Sequence, residues 1–279
     1  MESLPTVKPV LAPFRWLLVL AALLAFIAGV QLFILGQHTD RYFAWTIADP
    51  LMAAVLGAAY WGGGTLPALL SARERAWARV RVFATAATVF SAVMLAATLL
   101  HLDRFHLHGV GSARVAAWAW MAVYAAVPPL LLGLVALQML AAGGDPPRRA
   151  PLSPLARRVL SVQVLALLGG GALCFISPGL VASLWPWKLT PLTGQVVGSG
   201  LLALGAGGLN ALGEADWERL RIASIGYAAL GILVSVAVAR FPGSVDWHRW
   251  TAWAFLAFLA VVVGSGVRGA AGSRATRAS

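Results

Sequence analysis

Apolar residues in this chain form eight long continuous runs. The runs are Leu17–Leu35, Leu51–Leu70, Val82–Leu100, Val115–Leu140, Val159–Ile176, Leu192–Leu212, Ile222–Val238 and Thr251–Val267. A helix needs about 20 apolar residues to cross a hydrocarbon core about 30 Å thick, whereas a β-barrel shows alternating segments of roughly 10 residues. The pattern predicts an all-α integral membrane protein with eight transmembrane helices.

Composition and charge agree with this prediction. Only 11% of the 279 residues are charged, against about 25% in a soluble domain. A net charge of +11 would indicate nucleic acid in a soluble protein, but the basic residues are sorted by connection. The connections after odd-numbered spans carry Arg41, Arg104, Arg114, Lys188, Arg240 and Arg249, and the other 15 of 21 lie at the termini and after even-numbered spans.

This sorting predicts the orientation, because lysine and arginine concentrate on the cytoplasmic side. We expect a multi-pass protein with both termini cytoplasmic and four hairpins facing outward. The basic edge is expected to contact anionic lipid headgroups, and no nucleic-acid partner is expected. The preference for arginine over lysine, together with abundant alanine and glycine, indicates a bacterial plasma membrane.

The second half of the sequence repeats the first. Pro50-Leu51 and Gly57 match Pro191-Leu192 and Gly198 at an offset of 141 residues. The segment Trp77–Arg81 matches Trp217–Arg221 at an offset of 140. Each half has four spans, so the copies should insert in the same orientation, as parallel repeats. We predict a repeat over residues 1–140, a cytoplasmic linker over 141–157, a second repeat over 158–268 and a disordered tail over 269–279.

Small residues and prolines indicate how two of the spans pack. The sixth span carries Gly194, Gly198 and Gly205, and glycine lets helix backbones approach closely in a membrane. We expect this helix to be central and covered by its neighbours. Pro128-Pro129 should kink or break the fourth helix.

The polar residues within the spans are uncharged. No Asp, Glu, Lys or Arg lies in mid-span, which disfavours proton relays and ion paths. The neutral polar residues are Gln31, Tyr60, Gln138, Gln163, Gln195, Asn210 and Tyr227. They either form hydrogen bonds between helices or line a path for a neutral solute. The single cysteine, Cys174, allows no intramolecular disulfide.

Tryptophan is concentrated on the predicted outer face, where eight of the twelve lie. An aromatic belt at the membrane interface explains this, and so does an aromatic mouth that stacks on a sugar, an isoprenoid headgroup or an organic cation. Under the second interpretation the candidate substrate-binding residues are Trp45, Asp49, Trp120, Tyr124, Trp187 and Gln195.

All five histidines lie in outward-facing connections. Imidazole and carboxylate groups suit zinc, copper or nickel. The candidate metal ligands are His101, Asp103, His106, His108 and His248. The alternative is interfacial histidines and exposed Asp–Arg pairs. The sequence names no cofactor, and it lacks a G-x-S-x-G elbow, an H-E-x-x-H motif and a P-loop, which disfavours an enzyme.

Three functional interpretations follow. The first is a carrier or permease for a neutral or amphipathic solute that binds between the repeats. The second is a membrane-embedded enzyme, or a subunit that holds a metal or cofactor at the outer Asp/His residues. The third is an accessory subunit of a membrane complex. Partners beyond the bilayer would be a second copy of the chain or other subunits.

Overall fold

The computed structural model describes residues 7–275, which are almost entirely helical. The eight long helices are α1 Ala12–Ile34, α2 Pro50–Arg73, α3 Arg81–Leu100, α4 Gly111–Leu140, α5 Pro154–Ile176, α6 Pro191–Glu214, α7 Trp217–Arg240 and α8 Trp250–Ala275. Each is long and apolar enough to cross a bilayer. The prediction of a multi-pass helical protein with eight spans is therefore confirmed.

Polar side chains cap the start of several of the long helices, just before their apolar runs. Asp49 Oδ1 accepts hydrogen bonds from the backbone N–H groups of residues 51 and 52 at the start of α2. Thr190 forms a capping box with Thr193 at the start of α6. Asp216 accepts from the first turn of α7. These caps satisfy N–H groups that have no partner within the helix.

Shorter elements interrupt or connect the long helices. The 3₁₀ turns are Gly36–His38, Trp77–Arg79, Leu102–Arg104 and Pro242–Ser244, and the short α-helices are Thr39–Tyr42 and Pro178–Leu184. Two segments inside long helices have π-helical hydrogen bonding, Val30–Ile34 in α1 and Ala59–Thr65 in α2.

Helices α2, α3, α6 and α7 form the centre of the bundle. Helix α2 packs on α7 and α3 packs on α6. Helices α1 and α5 pack on α2 and α6, and α4 and α8 pack on α3 and α7. Every one of these main contacts in the first half has a counterpart between the corresponding helices of the second half.

The glycines of α6 differ in what surrounds them. A Cβ atom on Gly198 would lie 2.9 Å from the carbonyl oxygen of Gly171 in α5, and one on Gly205 would lie 2.6 Å from Leu168 Cδ2. A Cβ on Gly194 would have only ordinary contacts, with Pro178 and Leu189. Gly198 and Gly205 therefore lie where α5 and α6 approach closely.

Three details differ from the sequence-based expectations. Helix α4 runs through Pro128-Pro129 without a break, since neighbouring helices and local adjustments can satisfy the freed backbone groups in a membrane helix. The predicted tail from residue 269 continues as helix through Ala275, where Gly269 and Gly272 lie against the Trp217 ring. Similarly, residues 154–157 of the predicted linker belong to α5. Residues 1–6 of the predicted first repeat and residues 276–279 of the predicted tail lie outside the described part of the chain.

One end of the bundle, here called the basic end, contains residues 7–11, 74–80, 141–153 and 214–217. The same backbone pairing occurs twice at this end. In the first half, Val10 N–H donates to the Arg75 carbonyl (3.1 Å) and Trp77 N–H donates to the Lys8 carbonyl (3.0 Å). In the second half, the equivalent bonds are Leu152 N–H to Ala215 (2.9 Å) and Trp217 N–H to Ala150 (2.8 Å).

The opposite end, here called the aromatic end, contains residues 35–49, 101–110, 177–190 and 241–249. It too shows a repeated backbone contact. His106 N–H donates to the Ala44 carbonyl at 2.9 Å, and Asp246 N–H donates to the Pro186 carbonyl at 2.8 Å. The two pairs are separated by offsets of 140 and 142 residues.

Ion pairs join the two halves at the basic end. The buried carboxylate of Glu214 accepts hydrogen bonds from Arg81 Nη1 at 2.5 Å and from Arg219 Nη1 at 2.6 Å. Asp145 lies 2.7 Å from Arg81. Because Arg81 begins α3 and Glu214 ends α6, this cluster ties one half of the chain to the other.

A second ion-pair group lies beside the first. Arg79 contacts Glu218 at 3.1 Å and Glu74 at 3.4 Å. The pair Glu74–Arg79 occupies the same sequence spacing as Glu214–Arg219, with both residues shifted by 140. Glu74 is more exposed than Glu214, at 17% against 5% of the side chain.

Replacing Glu214 with glutamine should destabilise the fold. The substitution leaves the Arg219 guanidinium, which is only 8% exposed, without its nearest counter-charge, and breaking such a buried pair costs about 3 kcal/mol. Glu74→Gln should cost less than about 1 kcal/mol, because that pair is longer and more exposed. Thermal unfolding in detergent measures both variants, and equal stability of the two would contradict the burial argument.

Replacing Gly198 with leucine should weaken the contact between α5 and α6. The new side chain would meet the α5 backbone, and overpacking of this kind costs about 1–3 kcal/mol. Gly200→Leu is the matched control, since a Cβ there has nothing within 4 Å. The apparent unfolding temperature should fall for the first variant and stay close to wild type for the second. A similar fall in both would show that the close contact is not the cause.

Candidate transmembrane cavity

A cavity of about 1050 Å³ lies among the helices. All eight long helices contribute to its walls, from Ala44 and Trp185 near the aromatic end to Leu17 and Ala68 deeper in the bundle. Most of the lining is apolar, and among the described residues that line it none is Asp, Glu, Lys, Arg or His. Its volume is at the upper end of the range of small-molecule sites, roughly 300–1,000 Å³.

A second cavity of about 440 Å³ continues toward the basic end. Its walls include Leu152 and Trp217 and, among the described residues, one charged side chain, that of Arg268 in α8. Gly63, Phe83 and Tyr227 line both cavities. The two spaces therefore lie in series along the bundle and meet at these shared residues. A Cβ atom added to Gly63 would have nothing within 4 Å, so this glycine borders open space.

The main polar feature of the larger cavity is a pair of tyrosines. The Tyr60 and Tyr124 hydroxyl groups lie 2.7 Å apart, within hydrogen-bond distance, and both residues line the cavity. Trp120 packs against the Tyr124 ring with centroids 4.5 Å apart. Phe90 lies edge-on to both phenol rings at 6.2 and 6.3 Å. Aromatic packing on these sides holds the hydroxyl pair in one place.

Tyr60 lies in the π-helical segment Ala59–Thr65 of α2. Two side chains bind this segment to α1: Trp61 Nε1 donates to the Phe26 carbonyl at 3.1 Å, and Thr65 Oγ1 contacts the Ala22 carbonyl at 3.4 Å. A π-helical turn is rare and often occurs at functional sites, because it changes the direction of the following side chains. Here it holds both Tyr60 and Gly63 at the cavity wall.

Three other lining residues each have a buried polar atom with no hydrogen-bond partner within residues 7–275. These atoms are Tyr227 OH, Thr251 Oγ1 and Trp185 Nε1. Leaving a buried donor or acceptor unpaired costs about 1–3 kcal/mol. The side chains belong to the wall formed by the second half of the chain, but these polar atoms have almost no accessible surface and do not face the cavity.

The structure separates the six candidate substrate-binding residues. Trp120 and Tyr124 line the larger cavity. Trp45 is buried behind them, with its ring 4.9 Å from that of Trp120. Trp187 belongs to another aromatic cluster, where its ring lies 4.9 Å from that of Phe255. The two clusters lie in different halves of the chain.

The remaining candidates make structural contacts. Asp49 caps α2, as described above. Gln195 Oε1 lies 3.0 Å from His101 Nε2, and Gln195 Nε2 donates to the Phe175 carbonyl at 3.0 Å. Trp187 Nε1 lies 3.3 Å from Met52 Sδ. These polar groups therefore link helices and loops near the aromatic end.

The candidate metal ligands do not converge. His106 Nδ1 lies 3.0 Å from the Phe43 carbonyl, and its Nε2 lies 3.0 Å from Thr46 Oγ1, so both ring nitrogens have partners. Asp103 pairs with the adjacent arginine at 3.0 Å on the surface. His108 and His248 are exposed. Within residues 7–275, no three His, Cys, Asp or Glu side chains could hold one metal ion, and an outer metal site stays a prediction from sequence.

The sequence analysis named Tyr124 as a candidate and Tyr60 as a neutral polar residue, but it did not predict that they meet or that Gly63 borders a cavity. Tyr60 and Tyr124 are 64 residues apart, and no spacing rule connects them. Gly63 lies beside glycines that pack against other helices, and its residue type alone does not indicate that it borders a cavity. The ion pairs at the basic end did have a signal, since Glu74 and Glu214 share the 140-residue offset of the arginine motifs.

Comparisons with protein-family models, curated proteins and solved structures found no match to the chain.

Proposed function

We propose that the protein is a carrier that moves a neutral amphipathic molecule with a long apolar part across the bilayer. The observation that carries this proposal is the pair of apolar cavities in series, which meet at Gly63, Phe83 and Tyr227. Together they extend along the bundle from loops at the aromatic end to loops at the basic end.

The lining favours a neutral cargo. In the larger cavity a charged group would meet no counter-charge among the described lining residues and would lose its hydration without compensation, which costs several kcal/mol. Arg268 lines only the smaller cavity, toward the basic end. A long apolar chain would instead contact apolar side chains and would fill the space between α1, α4, α5 and α8. The hydroxyl pair of Tyr60 and Tyr124 could bind a neutral head group.

Two parallel four-helix repeats form the framework of this proposal. The repeated backbone bonds at both ends support the duplication, and so does the matched packing of α1 with α2 and of α5 with α6. In duplicated transporters the substrate site lies at the interface of the repeats, near the middle of the membrane. Here the cavity is lined from both halves.

The ion pairs at the basic end have a place in this mechanism. Arg81–Glu214 and Arg79–Glu218 connect the two halves across that end. We propose that these ion pairs hold the two repeats together at the basic end while the cavity is open toward the aromatic end. A carrier must close one side at a time, and a charge network that breaks and forms again is suited to that task.

Filling the junction of the cavities should stop transport. In proteoliposomes the wild-type protein is expected to speed the dithionite bleaching of inner-leaflet NBD-glucosylceramide, a lipid with a neutral head group. Gly63→Leu should return the rate to that of protein-free liposomes, because its side chain would begin in the open space at the junction, where a Cβ atom has nothing within 4 Å. Anionic NBD-phosphatidylglycerol should not be moved by either protein.

Gly133→Leu is the matched control for this experiment. Gly133 lies on the exposed surface of α4, outside both cavities, and a Cβ there also has nothing within 4 Å. This variant should transport like wild type. Equal rates for Gly63→Leu and Gly133→Leu, or no acceleration by the wild-type protein, would refute the carrier.

The orientation can be measured with single cysteines. The proposal places the basic end in the cytoplasm, by the positive-inside rule. In a Cys174→Ala background, His108→Cys at the aromatic end should react with an impermeant maleimide added to intact cells. Arg149→Cys at the basic end should react only after the cells are permeabilised. The reverse pattern would show that the basic end faces outward.

A further inference from the structure

We infer that the Tyr60–Tyr124 hydroxyl pair binds a neutral acceptor oxygen, a carbonyl or hydroxyl, in the head group of the transported molecule. This inference rests on the proposed function, because it assigns the polar contact of that cargo. It names the chemical class of the head group and its position in the cavity.

Counting donors leads to this assignment. Each phenol carries one O–H donor and can also accept. The two hydroxyls contact each other at 2.7 Å, and neither makes another hydrogen bond with the described residues. One O–H therefore donates to the other oxygen, while the second O–H has no acceptor. A cargo oxygen would satisfy it.

The surroundings restrict what that acceptor can be. A carboxylate or phosphate would meet no positive side chain in the described lining, and its desolvation would be uncompensated. An ammonium group has donors only, so it could not accept from the free O–H. A ketone, amide, ester or alcohol oxygen meets the requirement without charge.

The position of the pair suits a head group held inside the membrane. Tyr60 is ten residues after the start of α2, and Tyr124 is thirteen after the start of α4. At 1.5 Å per residue these distances are about 15 Å and 20 Å from the aromatic end, near the middle of a core about 30 Å thick. The apolar part of the cargo would extend along the remaining cavity.

The pairing predicts redundancy between the two tyrosines. In Tyr60→Phe the Tyr124 hydroxyl loses its partner and keeps a free O–H. In Tyr124→Phe the reverse holds. Each single variant therefore retains one donor for the cargo, and only the double variant removes both. A role limited to joining α2 and α4 would be lost equally in each single variant.

A ketone probe tests the inference directly. The probe is a benzophenone that carries a decyl chain, since its carbonyl accepts a hydrogen bond and forms a covalent bond to a nearby C–H on irradiation. With the purified full-length protein in lipid nanodiscs, peptide mass spectrometry should place the adducts on α2 and α4 around Tyr60 and Tyr124. Both single variants should keep most of this labelling, and Tyr60→Phe/Tyr124→Phe should lose it about fivefold to tenfold, the size expected for one hydrogen bond.

Tyr42→Phe is the control, because Tyr42 lies outside the cavity at the aromatic end. Its labelling should match wild type. The adduct map of the wild-type protein is informative even if the double variant fails to fold, since it locates the carbonyl without any substitution.

The outcomes separate the two proposals. Adducts inside the cavity but around Tyr227 or Thr251 would overturn the assignment to the tyrosine pair and leave the carrier standing. Undiminished labelling at α2 and α4 in the folded double variant would overturn it as well. Adducts confined to the outer, lipid-facing surface would count against the cavity as a binding site, and therefore against the proposed function itself.

Discussion

The cost of placing an unsatisfied polar group in hydrocarbon shapes this protein. Lipid offers no hydrogen bonds, so a chain that crosses it must satisfy its backbone within each segment, and helices do so. The same cost drives charge to the ends of the helices. Glu214 and Arg219 illustrate the result, since they are buried only beside the loops of the basic end, where each has an ionic partner. Within the bundle, neutral hydroxyl and amide groups provide the polar contacts.

Close packing and open space coexist in the bundle for a related reason. Apolar side chains gain little from leaving lipid for another apolar surface, so helix association depends on close fit and hydrogen bonds. Gly198 allows α6 to approach α5 to backbone contact. Gly63 and Gly200 have no such neighbour and border the cavity. Glycine thus allows two helices to approach closely at one position and leaves open space at another.

The two halves share a framework, but their interiors differ. The loop bonds and the pair Glu74–Arg79 recur as Glu214–Arg219, while the position 141 residues after Tyr60 is Leu201. The π-helical segment that holds Tyr60 also has no counterpart in the described helix α6. Repeated residues maintain the ends, and the tyrosine pair gives one half a polar site. The cavity itself is lined from both halves, so the polar site of one half lies in a space that the two halves share.

The sequence by itself determined the number of spans, their limits to within eight residues, and the sorting of charge between the two ends. Those properties depend on local hydropathy and helix capping, which act over one or two turns. Only the tertiary structure decided which polar residues meet. Tyr60 and Tyr124 come together because π-helical hydrogen bonding in α2 and aromatic packing around α4 direct them to one point, and Gln195 contacts His101 because α6 packs beside α3. Such contacts depend on helix rotation and separation, which the apolar pattern leaves open because most faces of a membrane helix are apolar.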